Sequence, residues 1–427
     1  MKWEDSIRYA AIPRYAWAWA TFLRAVAFRD PSRRLAAFAE AHRIAMGLNL
    51  PSPSESGLRK WIEEPDQARV WRDRRIGWSR YEVDVVERTM KKSLIARLPG
   101  AGNKGVLMVW FEYDLLSLLA CPRLESILER YQVAFFSSWS PPFFPALWAF
   151  PHRYRKEFVS GISYERDRQS IPSAGFQTEI LPLYMSNWQE PGDFRPRPRD
   201  RRDVDIVMVA NWAKFKRHWV LFEALRQLDR PELRVVLIGQ PESGRGVEEV
   251  RAEADSFGVV DQIEFLNRLP VKEVWAWLER ARISMITSRR EGSCVVVAES
   301  LMADTPVALL ENAEIGSASF LNEQTGVFLR EGSDLGAQLG AFLDRSDEME
   351  ARTWAMNNIS RQDALRTLQD SFSQWQGIPD DRGGWLPVCC RGTLGYDALA
   401  EEDREALDRE LEWFRVEQGL QFPRAES

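Results

Sequence analysis

The second half of the chain alternates short apolar runs with amphipathic stretches. An apolar run of roughly four to eight residues is typical of a strand buried on both faces of a parallel sheet. Apolar residues that recur every three or four positions are typical of helices. This alternation predicts a doubly wound α/β domain. The predicted strands are Asp205–Ala210, Leu233–Gly239, Ile263–Leu266, Ile283–Thr287 and Thr305–Leu310. The helices predicted between them are His218–Leu228, Val247–Phe257, Val271–Arg280 and Val295–Ala303.

The first half repeats this rhythm after a helical beginning. Residues 1–90 are predicted to be mainly helical, and the first buried strand is predicted over Val106–Phe111. A helix over Leu115–Arg130 and strands over Gln132–Phe136 and Glu179–Leu183 follow. Strand–helix–strand units form parallel sheets, so we expect a second Rossmann-like domain here, with extra helices before it.

A polar segment separates the two halves. It reads NWQEPGDFRPRPRDRRD and is dense in proline, aspartate and arginine, a composition typical of a linker. We therefore predict an N-terminal domain over residues 1–187, a linker over 188–203 and a C-terminal domain over 204–378. A polar, helical tail is predicted over residues 379–427, after a break rich in glycine and proline.

The composition describes a globular protein large enough for two cores. The chain has 427 residues, of which 45% are hydrophobic and 28% are charged. Its net charge of −6 argues against nucleic acid as the main partner. Four cysteines are too few for a disulfide scaffold and are badly spaced for a zinc site, which favours a reducing compartment. With no apolar run of about 18 residues and no pattern of a signal peptide, we expect a cytoplasmic protein.

One stretch near the start is both aromatic and basic. Ile12–Phe28 (IPRYAWAWATFLRAVAF) is predicted to be an apolar helix with several arginines in or near it. These arginines are Arg14, Arg24, Arg29, Arg33 and Arg34. Such a helix can lie on an anionic membrane, here the inner face, or it can pack on its own domain, and packing is the simpler interpretation.

The stretch SRREGSCVVVAESLMADTPV carries the most informative chemistry. After the strand ISMIT, Glu291 and Gly292 fall in a strand-to-helix turn, where Ser293 can cap a helix that begins near Cys294. The helix N-terminus would then point its N–H groups into the crevice at the carboxyl ends of the strands, which suits a diphosphate. A surface loop with a capped helix and incidental acids would produce the same pattern.

The two acids of this stretch suit different partners. Glu299 lies inside the helix, where a carboxylate can accept two hydrogen bonds from vicinal hydroxyls such as those of ribose. Glu291 lies in the turn and would face another group, such as a sugar.

Two other features are weaker signals. The string Gly100–Gly105 matches GxGxxG but precedes its strand, so it is interpreted as a loop and not as a phosphate site. Of the three histidines, His42 fits a helical pattern, and His218 follows a basic loop and either contacts phosphate or is structural. His152 is a candidate general base, with an ordinary loop histidine as the alternative.

Several spaced features together resemble a known family. EGSCVVVAESLMADTPV is similar to the E-x7-E motif, EGxxxxxxEAMAxGxPV, of retaining nucleotide-sugar glycosyltransferases with the GT-B fold (family-4-like, glycosyl transferases group 1). Upstream, Val207–Leu225 resembles the family's first strand, basic loop and helix, which puts Lys216 where the family has its phosphate-binding lysine. Gly239 ends a strand like the family's turn glycine, and Asn322–Val327 resembles a downstream turn.

The chain also departs from the family pattern. Asn211 and Trp212 stand where the family has a glycine-arginine pair. Asp304 replaces a usual glycine, and Asn267-Arg268 replaces a glycine loop that frames the base. A second phosphate-binding cation could come from several residues, between which the sequence does not choose. They are Lys214, Arg217, Arg289 and Arg290.

The resemblance implies a fold, a reaction and a set of roles. It implies two Rossmann-like domains that face a cleft, and transfer of a sugar from a UDP- or GDP-sugar with retention, without metal or cofactor. Lys216 and the helix N-terminus at Ser293 would stabilise the departing diphosphate, Glu299 would hold the ribose, and Glu291 would contact the donor sugar. The donor site would further include Gly292, Cys294, Asn211, Arg217, Gly239 and Arg268. A glycan or lipid-linked acceptor would bind the N-terminal domain, in the synthesis of cell-surface polysaccharide or glycoconjugate.

Two other functions fit the same motifs. One is a GT-B epimerase or hydrolase, which would process the sugar nucleotide without an acceptor. The other is a degenerate glycosyltransferase that binds without catalysis, suggested by the missing arginine.

Overall fold

The chain forms two compact units. The structure is a computed structural model that describes residues 10–45, 48, 50–58, 76–77, 82–83, 89–100, 102–119, 121–140, 157–376, 383–390 and 394–422. Unit 1 comprises Met1–Met185 and Thr367–Ser427, and unit 2 comprises Ser186–Arg366. Each unit has its own sheet. Within the described ranges, no helix has the length and apolarity needed to cross a membrane.

Unit 1 begins with a pair of helices. Helix α1 (Ala11–Ala27) packs against α2 (Pro31–Ala45), where the rings of Phe22 and Phe38 stack at 5.6 Å between centroids. The guanidinium of Arg14 is buried and donates to the carbonyl of Ile44 at 3.2 Å. One face of the predicted apolar helix is therefore covered by its own unit.

Unit 1 contains a five-stranded sheet in the order β3-β4-β5-β6-β7. Strands β4 to β7 are parallel, and β3 pairs with β4 in the antiparallel direction. Gly105 begins β4, and Gly100 pairs with Asn103 in the turn before it, so the GxGxxG string is a loop, as expected. The strands are β1 (Ile76–Gly77) and β2 (Glu82–Val83), which form a separate pair, and β3 (Ser93–Arg97), β4 (Gly105–Trp110), β5 (Tyr131–Phe136), β6 (Phe158–Ser160) and β7 (Glu179–Ile180).

The helix predicted over Leu115–Arg130 is two helices. They are α3 (Glu112–Leu119) and α4 (Leu124–Arg130), and Pro122 lies between them. Proline has no N–H to donate and its ring clashes with the preceding turn, so a helix does not run through it here. Helix α5 (Asp167–Ser173) precedes the edge strand β7.

Unit 2 is built on a six-stranded sheet in the order β10-β9-β8-β11-β12-β13. All its neighbouring strands are parallel. The central strands are almost entirely buried, as the continuous apolar runs predict. The strands are β8 (Val204–Val209), β9 (Val235–Gly239), β10 (Ile263–Asn267), β11 (Ala281–Ile286), β12 (Val307–Leu310) and β13 (Gly326–Leu329).

The helices of unit 2 alternate with these strands, and the four predicted between the strands are present with nearly the predicted bounds. The four predicted helices are α6 (His218–Leu228), α7 (Val247–Ser256), α8 (Val271–Leu278) and α9 (Val295–Met302). Three more follow in the chain: α10 (Leu335–Arg345), α11 (Ala351–Asn358) and α12 (Arg361–Gln376). Helix α12 begins in unit 2 and ends in unit 1.

The segment predicted as a linker is anchored to unit 2. Arg199 and Arg202 donate to the carboxylate of Asp304, at 3.4 Å and 3.0 Å, and the backbone N–H of Arg352 donates to the same carboxylate at 3.2 Å. The chain boundary between the units lies at Met185 and not in this segment. Two arginines of the segment, Arg199 and Arg202, therefore bind the unit that follows them.

The C-terminal segment packs on unit 1 and is not a separate tail. Strands β14 (Val388–Cys390) and β15 (Leu394–Tyr396) form a hairpin, and α13 (Glu401–Trp413) follows. The hydroxyl of Tyr396 donates to the carbonyl of Ile95 at 2.9 Å. Leu407 and Phe414 are buried in the core of unit 1, which its mainly polar sequence does not suggest.

Candidate functional site

The strand order of unit 2 reverses between β8 and β11. The chain proceeds from β8 to β9 and β10 on one side, and from β11 to β12 and β13 on the other. At such a switch point the loops after the two central strands diverge and leave a crevice, which is where open α/β sheets bind ligands. The loop after β8 contains Lys216, and the loop after β11 contains Glu291.

These two loops bring Lys216 and Glu291 into contact. The ammonium of Lys216 lies 2.7 Å from a carboxylate oxygen of Glu291, and both side chains are largely buried. Thr287 donates its hydroxyl to the carbonyl of Lys216 at 2.7 Å, which fixes the loop after β8 to the end of β11. The hydroxyl of Ser288 donates to the other oxygen of Glu291. Two predicted site residues are thus paired at the switch point.

Arg217 does not face the same way as its neighbour. Its φ of 55° is left-handed and ends the 3-10 turn Lys214–Lys216, and its side chain is buried. Its guanidinium donates to both oxygens of Glu331, at 3.0 Å and 2.7 Å. In the structure the charge of Arg217 is paired with that of Glu331 inside unit 2, and binding of the donor by Arg217 stays a prediction.

The other candidate second cations divide into two groups. Arg289 is paired with Glu331 at 3.0 Å, and Arg290 with Glu314 at 3.3 Å. Lys214 is exposed in the 3-10 turn beside Lys216. Of the four cations considered, Lys214 is therefore the one whose side chain is solvated.

Helix α9 begins beside Glu291, as the turn Glu291–Gly292 predicts. Cys294, with a φ of 46°, takes the position before the first helical residue and makes no side-chain cap. Ser293 was expected to cap the helix, but its hydroxyl instead donates to the hydroxyl of Ser186 at 3.1 Å. Burial raises the pKa of the Cys294 thiol, and the negative charge of Glu291 raises it further, so the sulfur stays protonated.

Glu299 lies further along α9 and contacts a different partner. The indole N–H of Trp275, in α8, donates to one carboxylate oxygen of Glu299 at 3.0 Å. Burial raises the pKa of Glu299, and this hydrogen bond partly opposes the rise. Trp275 packs on Phe194 with ring centroids 4.9 Å apart, so the carboxylate is held by a fixed indole.

Trp212 connects the carboxyl ends of three strands, a role that the sequence did not reveal. Its indole N–H donates to the side chain of Asn267, at the end of β10, at 3.0 Å. A Cβ on Gly239, at the end of β9, would lie 2.9 Å from the Trp212 ring and 2.3 Å from the Ala210 carbonyl oxygen, so only glycine fits there. Trp212 is thus a buried packing residue that ties the loop after β8 to the ends of β9 and β10.

The remaining predicted donor residues line this same edge. The side chain of Asn211 accepts a hydrogen bond from the N–H of Ala213 at 3.3 Å and shapes the loop after β8. Arg268 is exposed, has a φ of 58°, and donates its backbone N–H to the carbonyl of Gly239 at 2.8 Å. His152 lies outside the described residues.

His218 is buried at the start of α6, beside the ring of Trp212 at 5.6 Å. Burial lowers its pKa to about 3, and the charges of Arg245 and Lys216 lower it further. The imidazole is therefore neutral at physiological pH, which makes it a structural residue and a poor partner for a phosphate.

His218 should make the protein less stable in mild acid. Below about pH 6.5 the unfolded chain binds a proton that the folded state excludes, so stability falls as the pH falls. We compare the free energy of unfolding of the wild type with that of His218→Leu. From pH 7 to pH 5 the wild type should lose about 2 kcal/mol relative to the variant. Urea unfolding of both proteins across this range measures the change. Between pH 7 and pH 8 the difference should be constant, and a constant difference down to pH 5 would contradict the assignment.

Within the described ranges, no group of three or more histidine, cysteine, aspartate and glutamate residues is placed to hold a metal ion. The positive charge identified at the crevice is that of Lys216 and of the N-terminus of α9.

Comparison with known proteins agrees with this geometry. Residues 190–353 match the family described as Glycosyl transferases group 1. A sucrose-phosphate synthase from Thermosynechococcus elongatus matches with a TM-score of 0.50 and 15% identity, over 63% of this chain and 73% of that chain. Anabaena Alr3699/HepE in complex with UDP matches with a TM-score of 0.51 and 15% identity, over 62% of this chain and 78% of that chain. None of the curated proteins matches the chain.

At this identity the solved structures establish the fold, and the predicted α/β class is confirmed. The resemblance noted in the sequence is confirmed by the family match, which spans Lys216, Glu291 and Glu299. Residues 190–353 belong to glycosyl transferases group 1, and the chain is a glycosyltransferase with the GT-B fold.

Proposed function

We propose that the chain transfers a sugar, with retention of configuration, from a UDP- or GDP-sugar to a hydroxyl of a glycan or lipid-linked acceptor. The observation that carries this proposal is the pair of Lys216 and Glu291 at the switch point, beside the N-terminus of α9. A diphosphate leaving group develops negative charge, and a lysine and helix N–H groups placed there in advance stabilise it. HepE, a solved structure with this fold, is in complex with UDP, which supports a uridine nucleotide as donor.

In this proposal each residue has a separate role. Lys216 exchanges its contact with Glu291 for the diphosphate, and Glu291 turns to the donor sugar. Glu299 receives the ribose hydroxyls on the carboxylate that Trp275 holds. No metal or cofactor is needed, because Lys216 and the helix N-terminus supply the positive charge. We place the reaction in the cytoplasm, in agreement with the few cysteines, and in the synthesis of cell-surface polysaccharide or glycoconjugate.

Glu299→Ala is expected to weaken binding of the nucleotide sugar by about 10- to 100-fold, because two charged hydrogen bonds to the ribose are lost. Calorimetry with UDP- and GDP-sugars measures the change. Glu299→Gln removes the charge but should keep the hydrogen bond from Trp275. Comparing it with Glu299→Ala therefore separates the loss of the charge from the loss of that hydrogen bond. Glu232→Ala changes an exposed acid before β9, at the opposite edge of the sheet, and is the matched control that should bind like the wild type. Equal affinities for all four proteins would contradict the ribose assignment.

Binding and turnover of the same UDP- and GDP-sugars, each measured with and without an acceptor, separate the proposed transfer from other functions. Release of nucleoside diphosphate or isomerised sugar with no acceptor present would indicate an epimerase or hydrolase. Tight nucleotide binding without turnover on any acceptor would indicate a binding protein. If no UDP- or GDP-sugar binds, each of these enzymatic functions is excluded. A screen of nucleotide sugars by thermal shift identifies the donor, since a ligand that binds the folded state raises its stability.

A further inference from the structure

Helix α1 is apolar on two opposite faces. One face carries Ala18, Thr21 and Ala25, which are buried against the rest of unit 1. A surface helix normally has a polar face opposite its buried face. In α1 the opposite face is apolar as well.

The second apolar face is a continuous row along the helix. Its residues are Ile12, Ala16, Trp19, Leu23 and Val26, which follow one another at spacings of four, three, four and three positions, and we call them the outer row. Ile12 is 84% exposed, Leu23 62%, Val26 56% and Trp19 42%. Single exposed apolar residues are ordinary on proteins, but a contiguous row of this kind marks an interaction surface.

Among the described residues, the exposed charges on α1 and directly after it are mainly arginines. Helix α1 contains no acidic residue, and Arg24 in the helix, Arg29 in the turn after it and Arg33 at the start of α2 are exposed. The acid at this end is Asp30, whose carboxylate accepts the backbone N–H of Arg33 at 3.1 Å and so caps α2. The surface thus combines apolar residues, tryptophan and arginine.

We propose that α1 binds an anionic lipid surface, with the outer row in the acyl boundary and the arginines at the phosphate groups. An amphipathic helix that lies in the headgroup region presents this set of residues, and tryptophan favours the interface between lipid and water. The buried face stays on α2, so the helix lies parallel to the surface. A second copy of the chain would bring its own arginines to the row, whereas anionic lipid brings the opposite charge.

Flotation of the full chain with vesicles tests this proposal. Vesicles of phosphatidylglycerol and phosphatidylcholine should carry the protein to the top of the gradient, and phosphatidylcholine alone should carry far less of it. High salt should weaken the binding, since it screens exposed charges. Leu23→Glu should lower the vesicle affinity at least about tenfold, because the apolar contact is lost. Val416→Glu changes a residue of the same unit that is 58% exposed and should bind like the wild type.

Both substitutions are at exposed positions, so their thermal unfolding should match that of the wild type and any loss of binding is not a loss of fold. The proposal is overturned if phosphatidylglycerol vesicles do not bind the chain, or if Leu23→Glu binds them as well as Val416→Glu does. It is also overturned if light scattering finds a dimer that Leu23→Glu converts to a monomer, since a second copy then covers the row. No donor enters the experiment, so its result is independent of the proposed transfer.

Discussion

Replacing Lys216 by alanine is expected to lower the turnover of the nucleotide sugar by about 10²- to 10³-fold, the usual effect of losing one group that stabilises transition-state charge. The lysine side chain is largely buried at the switch point, with its ammonium 2.7 Å from Glu291. A cation from solvent would have to lose its hydration to take this place, so the lost charge is not replaced. Because the charge on the diphosphate grows as the bond to the sugar breaks, the loss should fall mainly on turnover and less on donor affinity. Release of nucleoside diphosphate measures the turnover, and calorimetry measures the affinity.

Lys214→Ala is the comparison for this experiment. Lys214 lies two positions earlier in the same 3-10 turn but is exposed, so its loss should change the turnover by less than the loss of Lys216 does. A folding control is required as well, because removing Lys216 takes the ion-pair partner away from the largely buried Glu291. The hydrogen bond from the hydroxyl of Ser288 to Glu291 remains. If Lys216→Ala folds and keeps the wild-type turnover, the assignment of the crevice as the donor site is wrong.

Arg217→Met is expected to destabilise the protein by about 1–3 kcal/mol, because Glu331 loses its bidentate partner and keeps only the contact with Arg289 described above. Burial would raise the pKa of Glu331, but the hydrogen bonds and charge of Arg217, together with Arg289, hold that pKa below its usual value. A lowered carboxyl pKa stabilises the fold above the unfolded pKa, and this stability is lost as the pH falls. The cost of the substitution should therefore shrink in acid. Urea unfolding at several pH values measures it.

Arg226→Met provides the comparison for Arg217. Arg226 lies on α6, the helix that begins directly after Arg217, and pairs with Glu223 at 3.0 Å, but its side chain is 55% exposed. An exposed pair contributes little, so a change within about 0.5 kcal/mol is expected. If Arg217→Met is as stable as Arg226→Met but no longer binds the nucleotide, then Arg217 belongs to the donor site after all.

The sequence predicts the sheet of unit 2 well because buried parallel strands are continuous apolar runs. The position of the Glu291 turn follows from the strand before it and the helix after it. Strand β13 has mixed burial, and the apolar run of strand β3 is only three residues long between Ser93 and Arg97, so both strands lack that signal and were missed. The C-terminal helix was placed outside the domains because a few apolar residues, such as Leu407 and Phe414, decide its packing.

Side-chain partners were the least predictable part of the site. Lys216 and Arg217 are adjacent cations in one loop, and their sequence does not say which of them faces the crevice. The left-handed backbone at Arg217 sends its side chain to Glu331, which is 114 positions away in the chain. The role of Trp212 was missed for the same reason, since its partner Asn267 lies at the end of another strand, β10.

Asp304 has a consequence for how unit 2 can be exchanged between related chains. It has a φ of 58°, a conformation that glycine adopts more easily, and its carboxylate is held by Arg199 and Arg202. A recombination that joined a foreign N-terminal half at residue 204 would separate this acid from both arginines. A crossover at Ser186 keeps all three residues together. The segment that must be exchanged as a whole therefore begins at Ser186, well before β8, the first strand of its sheet.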